Sequence, residues 1–334
     1  MRQDDYDVAV VGGGVAAVFH ACALAEQGRK VVIVADSTSL AHELGLSRLP
    51  LKDTLELAAR YPLMQAWVDL LSTYDGVKVD QFEPVLTQLL VDVFVRERGI
   101  DVLFEALPVQ LKWHTANNGD NSERLVGVQL VTREGMMLLK CGAVVDCSEK
   151  AVLVREFMEI KPVEWRDVHT LWTLTVLQED VMILPTEYNW TLTDTHYDIR
   201  VAPSYWEEEL AISVAVSSDQ EENRGEIRFA GVLEQLLLEL NKQEELHIGP
   251  LLHVSERSWT PPSFVLAAEP GGIMKEQEGG WVSTADDSVM GIGCWTEAGA
   301  AALRKAALWE KGGTALKLLV EWALEAALSR SALS

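Results

Sequence analysis

Cysteine is scarce in this chain of 334 residues, which has only four. No two of Cys22, Cys141, Cys147 and Cys294 have the Cys-x-x-Cys spacing of a metal-binding or redox pair. The pattern disfavours a disulfide framework and a zinc site. We therefore expect no metal and four small, buried thiols.

Long apolar runs are missing as well. No stretch approaches the roughly 18 consecutive apolar residues that a membrane helix needs. Residues 1–7 are mostly polar, and the apolar run 8–11 is too short for the core of a signal peptide and leads into glycines. We expect a cytoplasmic protein with no membrane partner.

Positive charge is in short supply, because 28 Lys and Arg residues stand against 51 Asp and Glu residues, a net charge of −23. Nucleic-acid binding needs clustered Lys and Arg, so it is disfavoured. The length and the 48% of hydrophobic residues are enough for two lobes with their own cores. We expect a small-molecule substrate and no nucleic acid, while a homo- or hetero-oligomer stays open.

The first informative segment is a βαβ unit at residues 7–36. Residues 6–11 are apolar and β-branched, which predicts a buried strand ending at three glycines. Residues 15–27 predict a helix rich in Ala and Leu, which Gly28 ends. Residues 30–35 predict a second buried strand, so the order fits a parallel crossover.

The turn between the first strand and the helix fits the dinucleotide fingerprint G-x-G-x-x-G/A. Gly12 permits the tight turn, Gly14 lets a pyrophosphate approach the backbone, and Ala17 allows the helix to pack closely on the strand. The phosphates would lie at the helix N-terminus, beside Val15 and Ala16, where unpaired N–H groups favour anions. The segment predicts a dinucleotide-binding fold.

The end of the second strand departs from this fingerprint. A carboxylate is expected there to accept hydrogen bonds from ribose hydroxyls, but the position holds Ala35, and Asp36 follows one residue later. One step along a strand turns a side chain to the other face. Asp36 either reaches the ribose because the chain bends, or caps the following turn; the sequence leaves both open.

The rest of the chain predicts a β-rich unit inserted into an α/β fold. Strands of the first unit are predicted at 101–106, 109–115, 125–132, 136–140 and 143–146. Helices are predicted at 82–98, 228–241, 296–309 and 314–328. Several β-like runs with four tryptophans fall within 165–218. We expect a dinucleotide-binding domain at 1–155, a β-rich substrate or interaction domain at 156–260, and a return to the first domain at 261–334.

Three segments, taken in order, resemble a known family. Residues 7–36 hold the βαβ unit, residues 82–150 hold a helix, GIDVLF, a hairpin and GAVVDCSEK, and residues 279–309 hold a late strand, acidic residues and an Ala-rich helix. This order resembles the FAD-dependent oxidoreductases of the glutathione-reductase-like superfamily. The resemblance implies a Rossmann-like FAD/NAD(P)-binding domain with a smaller inserted β-rich domain, FAD as cofactor, and hydride transfer from a small organic substrate to flavin N5.

The resemblance also implies contacts to the cofactor by position. In such proteins the residues after the GIDVLF-like strand contact adenine through the backbone, an aspartate after the late strand meets the ribityl or pyrophosphate region, and the next helix faces the flavin. The matching positions are Leu107, Pro108 and Val109 for adenine, Asp286 or Asp287 for the acidic role, and Gly293 within 291–296 for the last.

Departures from the family pattern leave two functions open. Where the family has D-A-T-G-D this chain has Asp-Cys-Ser-Glu-Lys, so Glu149 replaces a glycine and Lys150 an acid. The segment 37–47 contains one glycine, Gly45, where the family is glycine-rich. The chain is either a working flavoenzyme or a relative with weakened or lost FAD that serves as a structural or regulatory subunit of a larger complex. An NAD-binding protein without flavin is a third, weaker alternative.

Candidates for chemistry beyond the cofactor are few. His169 and His196, in the β-rich unit, are suited to proton transfer near neutral pH or are ordinary sheet histidines. Arg257 either binds a substrate carboxylate as a bidentate fork or forms a salt bridge, and Arg200 is a weaker option for the same role. Cys294 either has a lowered pKa at a helix start or lies in the core.

Overall fold

A computed structural model describes residues 5–51, 53–78, 81–115, 123–163, 169–178, 186–192, 195–217, 226–242, 248–267, 274–277, 281–285, 288–306 and 308–331. Within these ranges no helix is both long enough and apolar enough to cross a membrane. Strands and helices alternate at the start of the chain, and strands dominate the middle.

The described chain forms eighteen strands and eight α-helices. The strands are β1 (Tyr6–Val11), β2 (Val31–Val34), β3 (Val77–Lys78), β4 (Gln81–Phe82), β5 (Asp101–Leu103), β6 (Leu107–Thr115), β7 (Glu123–Thr132), β8 (Gly135–Asp146), β9 (Glu159–Pro162), β10 (His169–Gln178), β11 (Thr186–Leu192), β12 (Thr195–Pro203), β13 (Glu209–Ser217), β14 (Ile248–Val254), β15 (Phe264–Ala267), β16 (Met274–Glu276), β17 (Val282–Thr284) and β18 (Val289–Gly291). The helices are α1 (Val15–Glu26), α2 (His42–Gly45), α3 (Thr54–Arg60), α4 (Pro62–Ser72), α5 (Pro84–Glu97), α6 (Glu226–Leu240), α7 (Glu297–Lys305) and α8 (Lys311–Ser331).

The larger sheet is mainly parallel at its centre. Its order is β16-β17-β18-β8-β1-β2-β5, and β1 lies between β2 and β8, parallel to both. Val8 to Val11 are buried because helices cover one face of these strands and the β6–β8 meander the other. The predicted βαβ unit and the α/β fold class are confirmed.

The meander β6–β7–β8 joins the larger sheet through β8. β7 pairs antiparallel with both β6 and β8. The two strands predicted at 136–140 and 143–146 are one strand of 12 residues, and this part of the prediction was wrong. β8 continues between the two predicted strands because its first half pairs with β7 and its second half with β1.

The chain then forms a second, antiparallel sheet and returns. The order of this five-stranded sheet is β11-β12-β13-β10-β14, and α6 packs on it through Leu236 and Leu240. β15 pairs with β9, and β16 to β18 rejoin the larger sheet. This path agrees with an inserted β-rich unit; the boundaries at 155 and 260 stay a prediction.

The last helix packs against the first one. His20 Nδ1 lies 2.8 Å from the carbonyl oxygen of Ala323, and Gln27 Nε2 donates to the carbonyl of Ala327 over 2.9 Å. His20 is fully buried, and its contact with Ala323 joins α1 to α8. The helix predicted at 296–309 ends at Lys305, where a short 3₁₀ turn, Leu308–Glu310, leads into α8.

Candidate functional site

The glycine turn after β1 has the geometry that the fingerprint predicts. Gly12 has φ of +123°, a conformation that side chains rarely adopt, and a Cβ there would lie 2.8 Å from the carbonyl oxygen of Cys147. Gly14 is the N-cap residue of α1, and a glycine has no side chain that could accept hydrogen bonds from the first N–H groups of the helix. The turn therefore leaves an anion-binding helix end open to another group.

The group at this helix end is the side chain of Glu43. The backbone N–H of Val15 donates to Glu43 Oε2 over 3.0 Å, and a Cβ at Gly14 would lie 2.3 Å from Glu43 Oε1. Glu43 is only 6% exposed. Its carboxylate thus takes the place beside the backbone that the fingerprint predicts for a pyrophosphate. Sequence reasoning missed it, although an acid in the segment expected to be glycine-rich was the available signal.

Backbone contacts hold Glu43 in this place. It lies in the single-turn helix α2, and the N–H of Ala41, just before α2, donates to the carbonyl of Gly13 over 2.7 Å. Ala41 itself has φ of +46°, in the left-handed region. The segment that follows β2 is therefore folded back onto the glycine turn.

A chain of charged side chains extends from Glu43. His42 Nε2 lies 2.9 Å from Glu149 Oε1 and 3.8 Å from Glu43 Oε2, and Arg257 Nη2 donates to Glu149 Oε2 over 2.8 Å. Burial opposes protonation of His42, but the carboxylates of Glu43 and Glu149 outweigh it and raise the pKa of His42. Partial burial raises the pKa of Glu149, yet the contacts with His42 and Arg257 lower it to about 2.

Buried Asp146 shapes the loop that carries Glu149. Its carboxylate accepts hydrogen bonds from the backbone N–H and hydroxyl of Ser148 and from the N–H groups of Leu153 and Val154. Burial raises the pKa of Asp146 although these donors act in the opposite direction. The loop after β8 is therefore fixed with Glu149 and Lys150 beside the glycine turn.

These residues surround a first cavity of about 160 Å³ at the carboxyl ends of β1, β2 and β8. It is lined by Val11, Gly12, Gly13, Gly14, Val34, Asp36, His42, Glu43, Leu107, Pro108, Cys147, Ser148, Glu149, Lys150, Val152 and Arg257. The structure thus brings the glycine turn, exposed Asp36 and the predicted adenine positions Leu107 and Pro108 together. Ala35 is fully buried, and Val109 is not among the lining residues.

The remaining predicted positions fall elsewhere. Asp286 and Asp287 lie outside the described residues. Gly293 lines neither cavity; a Cβ there would lie 2.2 Å from the indole nitrogen of Trp295, which donates to the carbonyl of Ser148 over 3.0 Å. The absence of a side chain at Gly293 thus leaves space for the indole of Trp295. The family resemblance had implied a position facing the flavin and had not included this contact.

Cys294 lies in the core and Arg257 forms a salt bridge, as the second alternative for each residue predicted. Burial raises the pKa of the Cys294 thiol to about 12, so the alternative of a lowered pKa was wrong. The guanidinium of Arg257 forms an ion pair with Glu149 at the first cavity. Its binding of a substrate carboxylate stays a prediction that would require this pair to open.

The two candidate histidines occupy matching positions on the two strands that flank β13. His169 of β10 and His196 of β12 both pair with Ser217 of β13, which lies between them. The sheet therefore brings together two histidines that are 27 positions apart in the printed sequence, counted from 169 to 196. Their role in proton transfer stays a prediction.

A second cavity of about 290 Å³ lies between the five-stranded sheet and the first unit. It is lined by Leu44, Arg48, Leu49, Pro50, Phe82, Pro84, Leu171, Thr173, Thr175, Arg200, Ala202, Pro203, Ser204, Tyr205, Ala211, Ser213, Gly312 and Gly313. Leu44 of this cavity follows Glu43 of the first directly in sequence. Arg48 was not singled out from the sequence, whereas Arg200 was a weak candidate.

Comparison with protein families gives one match. Residues 7–156 match the family model described as FAD dependent oxidoreductase. The match confirms the expected FAD-dependent oxidoreductase relationship for this part of the chain, and with it FAD as the expected cofactor, without specifying the superfamily. A search of curated proteins finds no relative.

Solved structures of the same fold extend over nearly the whole chain. Aklavinone-11 hydroxylase, in a complex with FAD and aklavinone, is 13% identical with a TM-score of 0.59, and the match covers 98% of this chain and 63% of the hydroxylase. A geranylgeranyl bacteriochlorophyll reductase-like protein from Thermoplasma acidophilum is 13% identical with a TM-score of 0.58, covering 99% of this chain and 79% of that one. A flavin-dependent brominase is 12% identical with a TM-score of 0.58, covering 99% and 79%. The chain therefore spans less than two thirds of the hydroxylase, and identities this low show the fold alone.

Proposed function

We propose, from the premise that residues 7–156 match the FAD dependent oxidoreductase family, that this chain is an FAD-dependent oxidoreductase acting on a small organic substrate. The observation that carries the proposal is the first cavity. It places the glycine turn, Asp36 and the backbone at Leu107 and Pro108 around one space at the carboxyl ends of parallel strands. Dinucleotides bind at this edge of such sheets.

The described residues fit the adenosine half of FAD. The carboxylate of Asp36 is exposed at the cavity, which suits hydrogen bonds from ribose hydroxyls. Lys150 and Arg257 bring positive charge to the same space, which suits an anionic ligand. Lys150, a departure from the family pattern in sequence, is therefore compatible with nucleotide binding.

The pyrophosphate position fits only after one side chain has moved. Glu43 accepts the Val15 N–H that a diphosphate would use, and two anions cannot share that donor. The side chain of Glu43 must therefore rotate away before the diphosphate binds. The lining of the second cavity includes Leu44, the residue that follows Glu43, so this cavity is the neighbouring space.

The proposed reaction divides the work between cofactor and chain. When bound, FAD supplies the acceptor for a hydride, at flavin N5, and the substrate carbon loses that hydride. The described residues orient the two partners: the glycine turn and Asp36 hold the nucleotide, and the walls of the second cavity hold the substrate and limit access of water. A proton that the substrate loses in the same oxidation would need a base, for which His169, predicted from the sequence, stays the candidate.

A second candidate function is favoured by the same carboxylate. A chain whose anion site is filled by its own glutamate is stable without a nucleotide there. It could therefore serve as a structural or regulatory subunit that no longer uses FAD. The two candidates differ in one measurable property, which is whether FAD binds and is reduced.

The test is a titration of the purified chain with FAD. Saturable quenching of flavin fluorescence near one equivalent, followed by anaerobic bleaching of the bound flavin with an added organic substrate, supports the oxidoreductase. Asp36→Ala should weaken FAD binding roughly tenfold, the loss of about one charge-assisted hydrogen bond, whereas Asp92→Ala, at an exposed position of α5, should not. No binding at high micromolar FAD would reject the oxidoreductase and leave the second candidate.

A further inference from the structure

The charged residues that line the second cavity are both arginines, in a strongly acidic chain. Its described lining holds two arginines, Arg48 and Arg200, and no carboxylate. The whole chain carries 51 acidic and 28 basic residues. The composition of the chain therefore does not explain why the charged residues of this lining are all cationic.

Arg48 is fixed but incompletely paired. Its Nη1 donates to Thr175 Oγ1 over 2.9 Å, while its buried Nε has no hydrogen-bond partner within the described chain. Burial lowers the pKa of Arg48, although the carboxylates of Glu83, Glu209 and Glu256 act in the opposite direction. None of these three is among the lining residues, and within the described ranges none forms an ion pair with Arg48.

Arg200 approaches the same space from the sheet. It lies in β12, between Glu187 of β11 and Ser213 of β13 in the strand register, and Ser213 also lines the cavity. Its buried Nε likewise has no hydrogen-bond partner among the residues described. Glu187 is exposed, and no ion pair joins it to Arg200 in the part of the chain that the structure describes.

Two buried guanidinium edges without acceptors are costly. A buried donor left unsatisfied destabilises the folded chain, and more so where the group is charged. An arginine presents its Nε and one Nη as a planar fork that matches the two oxygens of a carboxylate. Gly312 and Gly313, in the first turn of α8, line the same cavity without side chains, and a helix N-terminus favours an anion.

The remaining walls indicate an organic ligand. Leu49, Phe82 and Leu171 offer apolar surface, while Thr173 and Ser204 offer hydroxyls. We propose that this cavity binds a small organic carboxylate, with Arg48 and Arg200 holding its carboxylate group and the apolar walls holding its carbon skeleton. Where it names the substrate class, this inference rests on the proposed function. Where it names a binding site, it can be tested without FAD.

The test compares ligands of one shape and different charge. Benzoate and hexanoate are each compared with the corresponding neutral amide, by isothermal titration of the purified full chain. At least one carboxylate should bind at least tenfold more tightly than its amide, since charge-assisted hydrogen bonds are stronger than neutral ones. Absence of carboxylate binding at millimolar concentration, or equal affinity of acid and amide, would overturn the inference.

Substitutions then assign the binding to the arginines. Arg200→Gln should weaken carboxylate binding tenfold or more, and Arg200→Lys should weaken it less because the charge remains while the fork is lost. Arg124→Gln, on an exposed part of β7, removes the same charge elsewhere and should leave affinity unchanged. Equal affinities for Arg200→Gln and Arg124→Gln would contradict the proposal, and far-ultraviolet circular dichroism shows that each variant is folded.

The two proposals fail separately. If FAD binds while carboxylates and amides bind alike, the oxidoreductase stands and the substrate class is wrong. If carboxylates bind selectively while FAD does not, the cavity is an anion site and the oxidoreductase is wrong. Phenyl phosphate binding more tightly than benzoate would also overturn the carboxylate assignment in favour of an organic phosphate.

Discussion

At the scale of single residues, the charge of Glu43 controls what the glycine turn can bind. Its carboxylate accepts a hydrogen bond from Val15 and lies against Gly14, at the positive end of α1. The same carboxylate raises the pKa of neighbouring His42. One acidic side chain therefore occupies the anion position of the glycine turn and, together with Glu149, favours the charged form of His42.

Neutralising Glu43 should strengthen diphosphate binding. Glu43→Gln keeps the shape of the side chain but removes the competing charge, so we expect the affinity for ADP to rise roughly tenfold. Adenosine, which has no phosphate, should bind both proteins alike. Glu97→Gln, at an exposed position of α5, is the control. A titration in which Glu43→Gln binds ADP no better than Glu97→Gln would refute the competition.

Protonation of His42 should make stability depend on pH. Because the pKa of His42 in the folded chain is raised above 6.5, its charged form stabilises the fold fully below pH 6.5, and this contribution is lost as the pH rises through the raised pKa. His42→Gln should therefore lower the free energy of unfolding more at pH 6 than at pH 9. Urea unfolding at both pH values measures this, with exposed His114→Gln as control. A deficit that is the same at both values would contradict it.

At the scale of elements, the strand-turn-helix of residues 6–26 was predictable and the segment after β2 was not. Buried strands, glycines and an Ala-rich helix are local signals, so the βαβ unit follows from adjacent residues. The hydrogen bond of Glu43 joins residues 28 positions apart, and that of Arg48 to Thr175 joins residues 127 apart. Such contacts depend on tertiary packing, which no local pattern encodes. For the same reason the hydrogen bond from Trp295 to Ser148, 147 positions away, was not predicted.

The turn between β1 and α1 should tolerate no side chain at Gly12. Gly12 and Gly28 both have positive φ, but a Cβ at Gly28 meets nothing within 4 Å, whereas one at Gly12 would lie 2.8 Å from a backbone oxygen. Gly28→Ala should cost about 1–2 kcal/mol of unfolding free energy for its backbone conformation alone. Gly12→Ala should cost clearly more and abolish ADP binding. Equal losses in urea unfolding would show that the turn can relax.

At the scale of the whole molecule, two features matter: the large negative charge and the division of the site into two cavities. Glu43 lines the first cavity and Leu44, the next residue, lines the second. The first lining mixes Asp36, Glu43 and Glu149 with His42, Lys150 and Arg257, whereas the charged residues of the second lining are Arg48 and Arg200. In a chain with a net charge of −23, the second cavity is therefore the one whose charged lining suits an anion.

Salt should stabilise the chain near neutral pH. A net charge of −23 repels itself, and raising the salt from about 0.02 M to about 0.5 M shortens the screening length several-fold. We expect the melting temperature to rise with sodium chloride at pH 7 and to change little near the isoelectric point of about 4.6. A melting temperature at pH 7 that falls with salt would mean that ion pairs outweigh the repulsion.

The contact between α1 and α8 has a consequence for how the protein is made. The helix that follows the glycine turn is covered by a helix that begins at Lys311, and the hydrogen bond from His20 to Ala323 joins residues 303 positions apart. During synthesis the βαβ unit emerges before α8, so the face of its helix that α8 covers stays exposed until nearly all of the described chain has left the ribosome. Contacts of such long range slow folding and expose apolar surface in the meantime. Nascent chains halted before α8 should therefore need chaperones, and the nucleotide site should mature only after translation has passed that helix.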